Sequence, residues 1–161
     1  MRAQKKFDIA RLRIGDELPS LKKRAIDRVQ IARWASALDD FNPMHLDDAC
    51  AQAEGMPSVF VNPQIPMAFA GQLAASWLNG GQLRRLAVRF LKLVWPGDEL
   101  TFHGRLLRVD TDAQGNSRVE IDLWGENQAG EVVLKGVCHG AMAEARPRGS
   151  ATRAVKAVAR P

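Results

Sequence analysis

Residues 65–78 read Ile-Pro-Met-Ala-Phe-Ala-Gly-Gln-Leu-Ala-Ala-Ser-Trp-Leu, a helical stretch without a single charge. A helix that is apolar nearly all round has no face to give to water, so the chain has to enclose it. Pro66 falls in its first turn, where no backbone N–H is needed, and Asn79-Gly80-Gly81 closes it. Ala68, Gly71, Ala74 and Ala75 are small enough to let a sheet approach closely. The enclosing material follows directly. Leu86–Val94 alternates loosely, Glu99–Val109 alternates, and Arg118–Trp124 alternates strictly, with Val119, Ile121 and Leu123 on one face. Glu131–Met142 is a last long strand. Pro96-Gly97-Asp98, residues 110–116 and Asn127–Gly130 are the turns between them. The pattern is α+β, a long central helix wrapped by a curved antiparallel sheet.

The segment before that helix carries the chemistry. Phe7 with Ile9 and Leu12 with Ile14 form two alternating pairs out of phase by one residue, which a bulge or bend near Ala10 reconciles. Gly15-Asp16 is a turn, and Leu18-Pro19 opens a short strand or arm reaching Ile26. Ile31, Trp34, Ala35 and Leu38 recur at i, i+3, i+4 and i+7, predicting a helix over 27–39. Asp27 with Gln30 resembles a capping box at its start. Its end is expected near Asp39 or Asp40, because Pro43 pushes Asn42 out of the α region. Then comes Asp40-Phe41-Asn42-Pro43-Met44-His45. The Asn-Pro turn can fold His45 back towards Asp40, and such a pair can hold a water between a proton acceptor and a proton donor. Residues 46–53 read as a short helix broken by Gly55 and Pro57, and residues 58–64 as an apolar run turning at Asn62-Pro63.

Length and charge narrow the alternatives. The 161 residues suit one domain, expected over 1–145. Net charge is +5, but Arg146, Arg148, Arg153, Lys156 and Arg160 sit in an acid-free tail, and without those five the body balances 18 basic against 18 acidic residues. Basicity belongs to a tail, 146–161, expected to be solvated and flexible, so nucleic-acid binding is a minor reading. Cys50 and Cys138 have neither metal nor redox spacing and read as free thiols of a reducing, cytoplasmic compartment. No apolar leader or membrane-spanning run is visible.

The order of these features resembles the MaoC-like hot dog dehydratases, whose members include (R)-specific enoyl-CoA hydratases. The resemblance rests on Gly15-Asp16-x-Leu18-Pro19, the D-x-N-P-x-H element at 40–45, the apolar helix, Val88-Arg89-Phe90-Leu91 with Pro96-Gly97-Asp98, and Asn127-Gln128-x-Gly130-Glu131-Val132. It covers about residues 7–143. It implies a hot dog fold, commonly paired into a dimer with a continuous sheet. The implied reaction is reversible addition of water to a trans-2-enoyl thioester, needing no metal or organic cofactor. Asp40 and His45 would activate the water, and Asn42 would brace the loop or touch substrate. Backbone N–H groups at the head of the central helix would meet the thioester carbonyl, where enolate charge develops.

One departure stands out. Family members commonly carry Ala-His-Gly-Met at that helix head, with the Gly N–H as oxyanion donor. The matching residues here are Gln64-Ile65-Pro66-Met67, and a proline has no N–H to give. Either the oxyanion hole is lost, or it moves to the N–H of Ile65 or Met67. The departure also suggests a pocket for a bulkier acyl group, or a subunit that needs a partner MaoC-like chain. A hot dog thioesterase is a further alternative, weakened because residues 65–78 supply no carboxylate. His103 and His139 read as structural, and two His with no third ligand do not make a zinc site. Arg84, Arg85, Arg89 and Lys92 are candidates to meet the phosphates of coenzyme A, although solvated charge at a sheet edge is the simpler reading of each. Whether the chain pairs with itself or with another hot dog chain stays open.

Overall fold

The computed structural model describes residues 12–142 apart from Asn79. The Phe7/Ile9 pair, the bend near Ala10 and the basic tail of residues 146–161 lie outside the described residues. In chain order the elements are β1 (Glu17–Lys23), α1 (Arg28–Leu38), a 3-10 turn (Pro43–His45) and α2 (Asp48–Ala53). They continue with α3 (Gln64–Trp77), β2 (Gln82–Phe90), β3 (Leu100–Thr111), β4 (Ser117–Asn127) and β5 (Val132–Met142). The five strands form one antiparallel sheet in the order β1-β3-β4-β5-β2. β2 therefore returns to the far side of the β3–β5 meander, and β1 and β2 are the two edges.

The core lies between the sheet and α3. Val119, Ile121 and Leu123 of β4 point inward as their alternation requires, and Phe102, Leu106, Leu134 and Cys138 join them. Trp77 and Leu78, both 1% exposed, close the far end of α3 against this face. Each fully buried side chain of this size contributes about 1.5–3 kcal/mol by leaving water. Two strand glycines make the approach possible. A Cβ on Gly104 would stand 2.2 Å from the Trp77 ring, and one on Gly140 would stand 2.2 Å from Leu78 Cδ2. Gly inside a strand pattern marks such a close approach.

Several expectations need adjusting. α3 is not enclosed all round. Ile65, Pro66, Ala70, Leu73, Ala74 and Trp77 are buried, whereas Met67, Ala68, Gln72, Ala75 and Ser76 are exposed. A five-stranded sheet covers one side of a helix, and among the described residues nothing is laid over the other. Of the small residues, Gly71 and Ala74 face the protein, Gly71 against Leu86, while Ala68 and Ala75 do not. β2 begins at Gln82 and ends at Phe90, not Leu86–Val94. Gly80, at φ 90°, turns the chain directly into the strand. Beyond Phe90 the Leu91 and Lys92 N–H groups both donate to Val133 O, which folds the chain off the edge. Leu38, the last residue of α1, is 46% exposed and does not join the core that Ile31 and Ala35 enter.

Candidate functional site

The end of α1 places the acid. Asp27 caps its start by accepting from Gln30 N–H at 2.7 Å. At the other end Asp39 takes the left-handed conformation (φ 54°), and the Asp40 N–H reaches back to Ala35 O at 3.0 Å. This is the Schellman arrangement, with aspartate filling the position glycine usually holds. Asn42 then sits at φ −55°, ψ 119°, outside the α region as Pro43 demands. Its Oδ1 accepts from Met44 N–H at 3.0 Å, and its own N–H donates to Asp40 Oδ1 at 3.4 Å. Asn42 is exposed and shapes the turn. The 3-10 turn Pro43–His45 delivers the imidazole inward, leaving it 7% exposed.

One short segment receives both groups. His45 Nδ1 lies 2.9 Å from Phe60 O, and the Phe60 ring packs edge-on against the imidazole at 4.7 Å. Two residues on, Asn62 Nδ2 donates to Asp40 Oδ2 at 2.6 Å. A carbonyl oxygen only accepts, so Nδ1 carries a proton and the neutral ring keeps its lone pair at Nε2. Asp40 and His45 make no direct ion pair; each bonds to the same short segment, His45 to Phe60 O and Asp40 to Asn62 Nδ2. The sequence places Asp40, Asn42 and His45 on one turn but marks Asn62 only as the point, with Pro63, where the apolar run 58–64 turns. Asn62 is 4% exposed, and a polar residue that deep needs partners. Asn62-Pro63 standing immediately before the helix was the available signal.

The receiving segment is itself braced. Asp48, the first residue of α2, accepts from Arg28 Nη2 (3.0 and 2.9 Å to its two oxygens), from Ser58 Oγ (2.8 Å) and from Val59 N–H (3.0 Å). The Arg28 bond is the main cause of a carboxyl pKa lowered to about 2, with the Val59 N–H and the Ser58 hydroxyl next. One carboxylate therefore joins the first turn of α1, the start of α2 and the residues leading into Phe60. Val61 N–H donates to Val94 O at 2.8 Å, tying the same segment to the chain after β2.

At the head of α3 the donors are already engaged. Gln64 N–H donates to Asn62 Oδ1 at 2.9 Å, Ile65 N–H to Asn62 O at 2.9 Å and Met67 N–H to Pro63 O at 3.3 Å. Pro66 has none. The Ile65 side chain is fully buried in the core, while Met67 is 37% exposed.

The other singled-out residues lie elsewhere. His103 Nε2 stands 3.2 Å from Glu126 Oε1, with its ring stacked on Trp124 at 5.3 Å. Arg84, Arg85 and Arg89 are exposed on the edge strand β2, and Lys92 pairs with Glu131. A groove of about 760 Å³ lined by Gly80, Arg84, Asp110 and Arg118, among others, takes in neither Asp40 nor His45. Among the described residues no group of three or more His, Cys, Asp or Glu is placed to hold a metal ion. Nor is any described helix long and apolar enough to cross a membrane. Cys50 and Cys138 are free thiols.

Residues 10–123 match the family model described as a MaoC like domain. The chain belongs to the MaoC-like family. Solved structures agree on the architecture, and the sheet-and-helix arrangement described above is the hot dog fold of this MaoC-like chain. It is similar to the R-hydratase PhaJ1 from Pseudomonas aeruginosa, with a TM-score of 0.70 and 25% identity, covering 83% of each chain. It is also similar to the (R)-hydratase from A. caviae involved in PHA biosynthesis, with a TM-score of 0.72 and 22% identity over 82% of this chain and 98% of that one. A third similarity is to a chain of the ChsH1-ChsH2 complex from Mycobacterium tuberculosis, with a TM-score of 0.69 and 24% identity over 80% of this chain and 97% of that one. No curated protein sequence matches. Membership and the hydratase neighbours together support hydro-lyase chemistry for this MaoC-like chain.

Proposed function

We propose that this MaoC-like chain is a hydratase/dehydratase that adds water reversibly across the 2,3 double bond of an enoyl thioester, with coenzyme A as carrier. The observation that carries the reading is the shared mount of Asp40 and His45 on Phe60 and Asn62. With Nδ1–H given to Phe60 O, His45 Nε2 takes a proton from water. Asp40 keeps its Oδ1, held among the described residues by the 3.4 Å Asn42 contact alone, to orient that water. The water oxygen bonds to C3, the π electrons move through C2 to the thioester oxygen, and the proton held at His45 Nε2 passes to C2 as the enolate collapses, leaving the imidazole neutral again. Burial of His45 keeps bulk water from competing for Nε2.

The test is hydration of crotonyl-CoA by the purified protein, followed as loss of enoyl absorbance. Asp40→Asn and His45→Ala are each expected to lower turnover by about 10²–10⁴-fold, the range of a positioned acid or base. Undiminished turnover in either variant removes that residue from the mechanism.

A specific observation supports pairing with a second hot dog chain. Among the described residues the edge strand β2 has no neighbour on its outer side, and Met67, Ala68, Ala75 and Ser76 leave the outer face of α3 uncovered. A second chain laid edge to edge along β2 relieves both, since unpaired sheet edges invite pairing. A symmetric homodimer is the default form of such an assembly. The likeness to a chain of a two-protein complex supports the alternative, in which a different hot dog subunit completes the site for a bulky acyl group. Light scattering on the purified chain separates the two: a stable active dimer favours the first, an inactive monomer the second. The thioesterase alternative finds no support here, because α3 carries no carboxylate.

A further inference from the structure

The thioester oxygen gathers negative charge as water adds to C3, and a donor has to meet it. The backbone does not supply one at the helix head. The N–H groups of Gln64, Ile65 and Met67 each have a protein acceptor, and Pro66 has no N–H. The Asn62 side chain is different. Its amide nitrogen carries two hydrogens. One is given to Asp40 Oδ2 at 2.6 Å, and no acceptor meets the other among the described residues, although Asn62 is only 4% exposed. The orientation of the amide is forced: Oδ1 faces the Gln64 N–H and Nδ2 faces a carboxylate, so a flipped amide would oppose like with like at both ends.

We infer that this second Nδ2–H of Asn62 is the donor to the thioester oxygen, taking over the role that Pro66 removes from the backbone. The inference rests on the hydration reading above and assigns Asn62 as a catalytic residue within it. The two acceptors of one NH₂ group stand about 5 Å apart, given N···O distances near 2.9 Å. The thioester oxygen and C3 of an enoyl group are three bonds apart, so one amide can serve the oxygen while its other hydrogen fixes the carboxylate that holds the water. Asn62 then couples the two halves of the reaction. The bond it gives Asp40 sets the water, and the bond it gives substrate takes the charge.

The experiment uses butyryl-CoA, a saturated and unreactive thioester, carrying ¹³C at the carbonyl. On binding to the wild-type chain its carbonyl stretch is expected to move to lower frequency, and the Asn62 side-chain amide protons to shift in the NMR spectrum. Asp40→Asn is expected to keep the carbonyl shift. Asn62→Leu is expected to lose it and to lower kcat for crotonyl-CoA by about 10²–10³-fold, the cost of one such donor, with KM changed only a few-fold. A full carbonyl shift in Asn62→Leu overturns the assignment, as does an Asn62 amide that does not respond to butyryl-CoA in the wild-type chain. The second readout needs no variant, so a failure of Asn62→Leu to fold leaves it standing. A wild-type chain that polarises the carbonyl yet never hydrates crotonyl-CoA supports the donor and overturns the reading that this chain by itself hydrates a short enoyl thioester.

Discussion

Replacing Gly104 by alanine tests how α3 is seated, and the structure sets the size of the effect. The new methyl would lie 2.2, 2.8 and 2.9 Å from three atoms of the Trp77 ring, where ordinary contact begins at 3.4 Å. The ring must therefore retreat by at least 1.2 Å, the difference between 3.4 and 2.2. Trp77 has little room to do so. It is 1% exposed, and its Nε1–H is tied to Pro19 O at 2.8 Å. Overpacking costs about 1–3 kcal/mol, and stranding the indole N–H adds about 1–3 kcal/mol. The entropy alanine removes from the unfolded chain returns about 0.4–1 kcal/mol. A net destabilisation of about 1–5.6 kcal/mol follows, a large share of the ~5–15 kcal/mol that holds a domain together. Urea unfolding followed by circular dichroism reads it as a lower midpoint at unchanged slope. Trp77→Phe removes the outer ring atoms that collide, so the double variant is expected to be more stable than the two single losses predict, by about 1–3 kcal/mol. A Gly104→Ala loss below about 1 kcal/mol, or a double variant that is simply additive, refutes the reasoning.

Three further outcomes are expected. The Asp48 carboxyl is lowered from 3.8 to about 2 in the folded chain, so it contributes stability above pH 3.8 that disappears as pH falls towards 2. The stability gap between wild type and Asp48→Asn should accordingly narrow over that window in urea titrations at pH 5, 3 and 2; a constant gap contradicts the assigned role. Burial pushes the Cys138 thiol up to about 12, while Cys50 is only half-buried. Ellman's reagent at pH 8 should find one reactive thiol before unfolding and two after, and two fast thiols in the native chain would speak against the placement of β5. The bond from Cys50 to Asp47, and the aspartate charge beside it, raise the Cys50 pKa, so Asp47→Asn should quicken its labelling; an unchanged rate would break that link.

Local signals carried a good part of this protein. Asp27 before an i, i+3, i+4 pattern, Pro43 after it and the strict alternation at residues 118–124 each act through the covalent geometry of near neighbours, and α1, its end and the phase of β4 follow. The order of Asp40, Asn42 and His45 is equally local, which is why one turn of chain was enough to mark them. Other features depend on residues distant in sequence. Nothing near Asp40 says that Asn62 will bond to it, because the two stand 22 positions apart with two short helical elements between them. The Arg28–Asp48–Ser58 brace is likewise invisible to any periodicity. Small residues on α3 suggested that the sheet approaches the helix there. The folded chain also uses Gly104 and Gly140 on the sheet to receive Trp77 and Leu78. An apolar helix says only that it must be covered. How much of it is covered is a matter of area, decided when five strands close over one face of α3 and, among the described residues, leave the other bare.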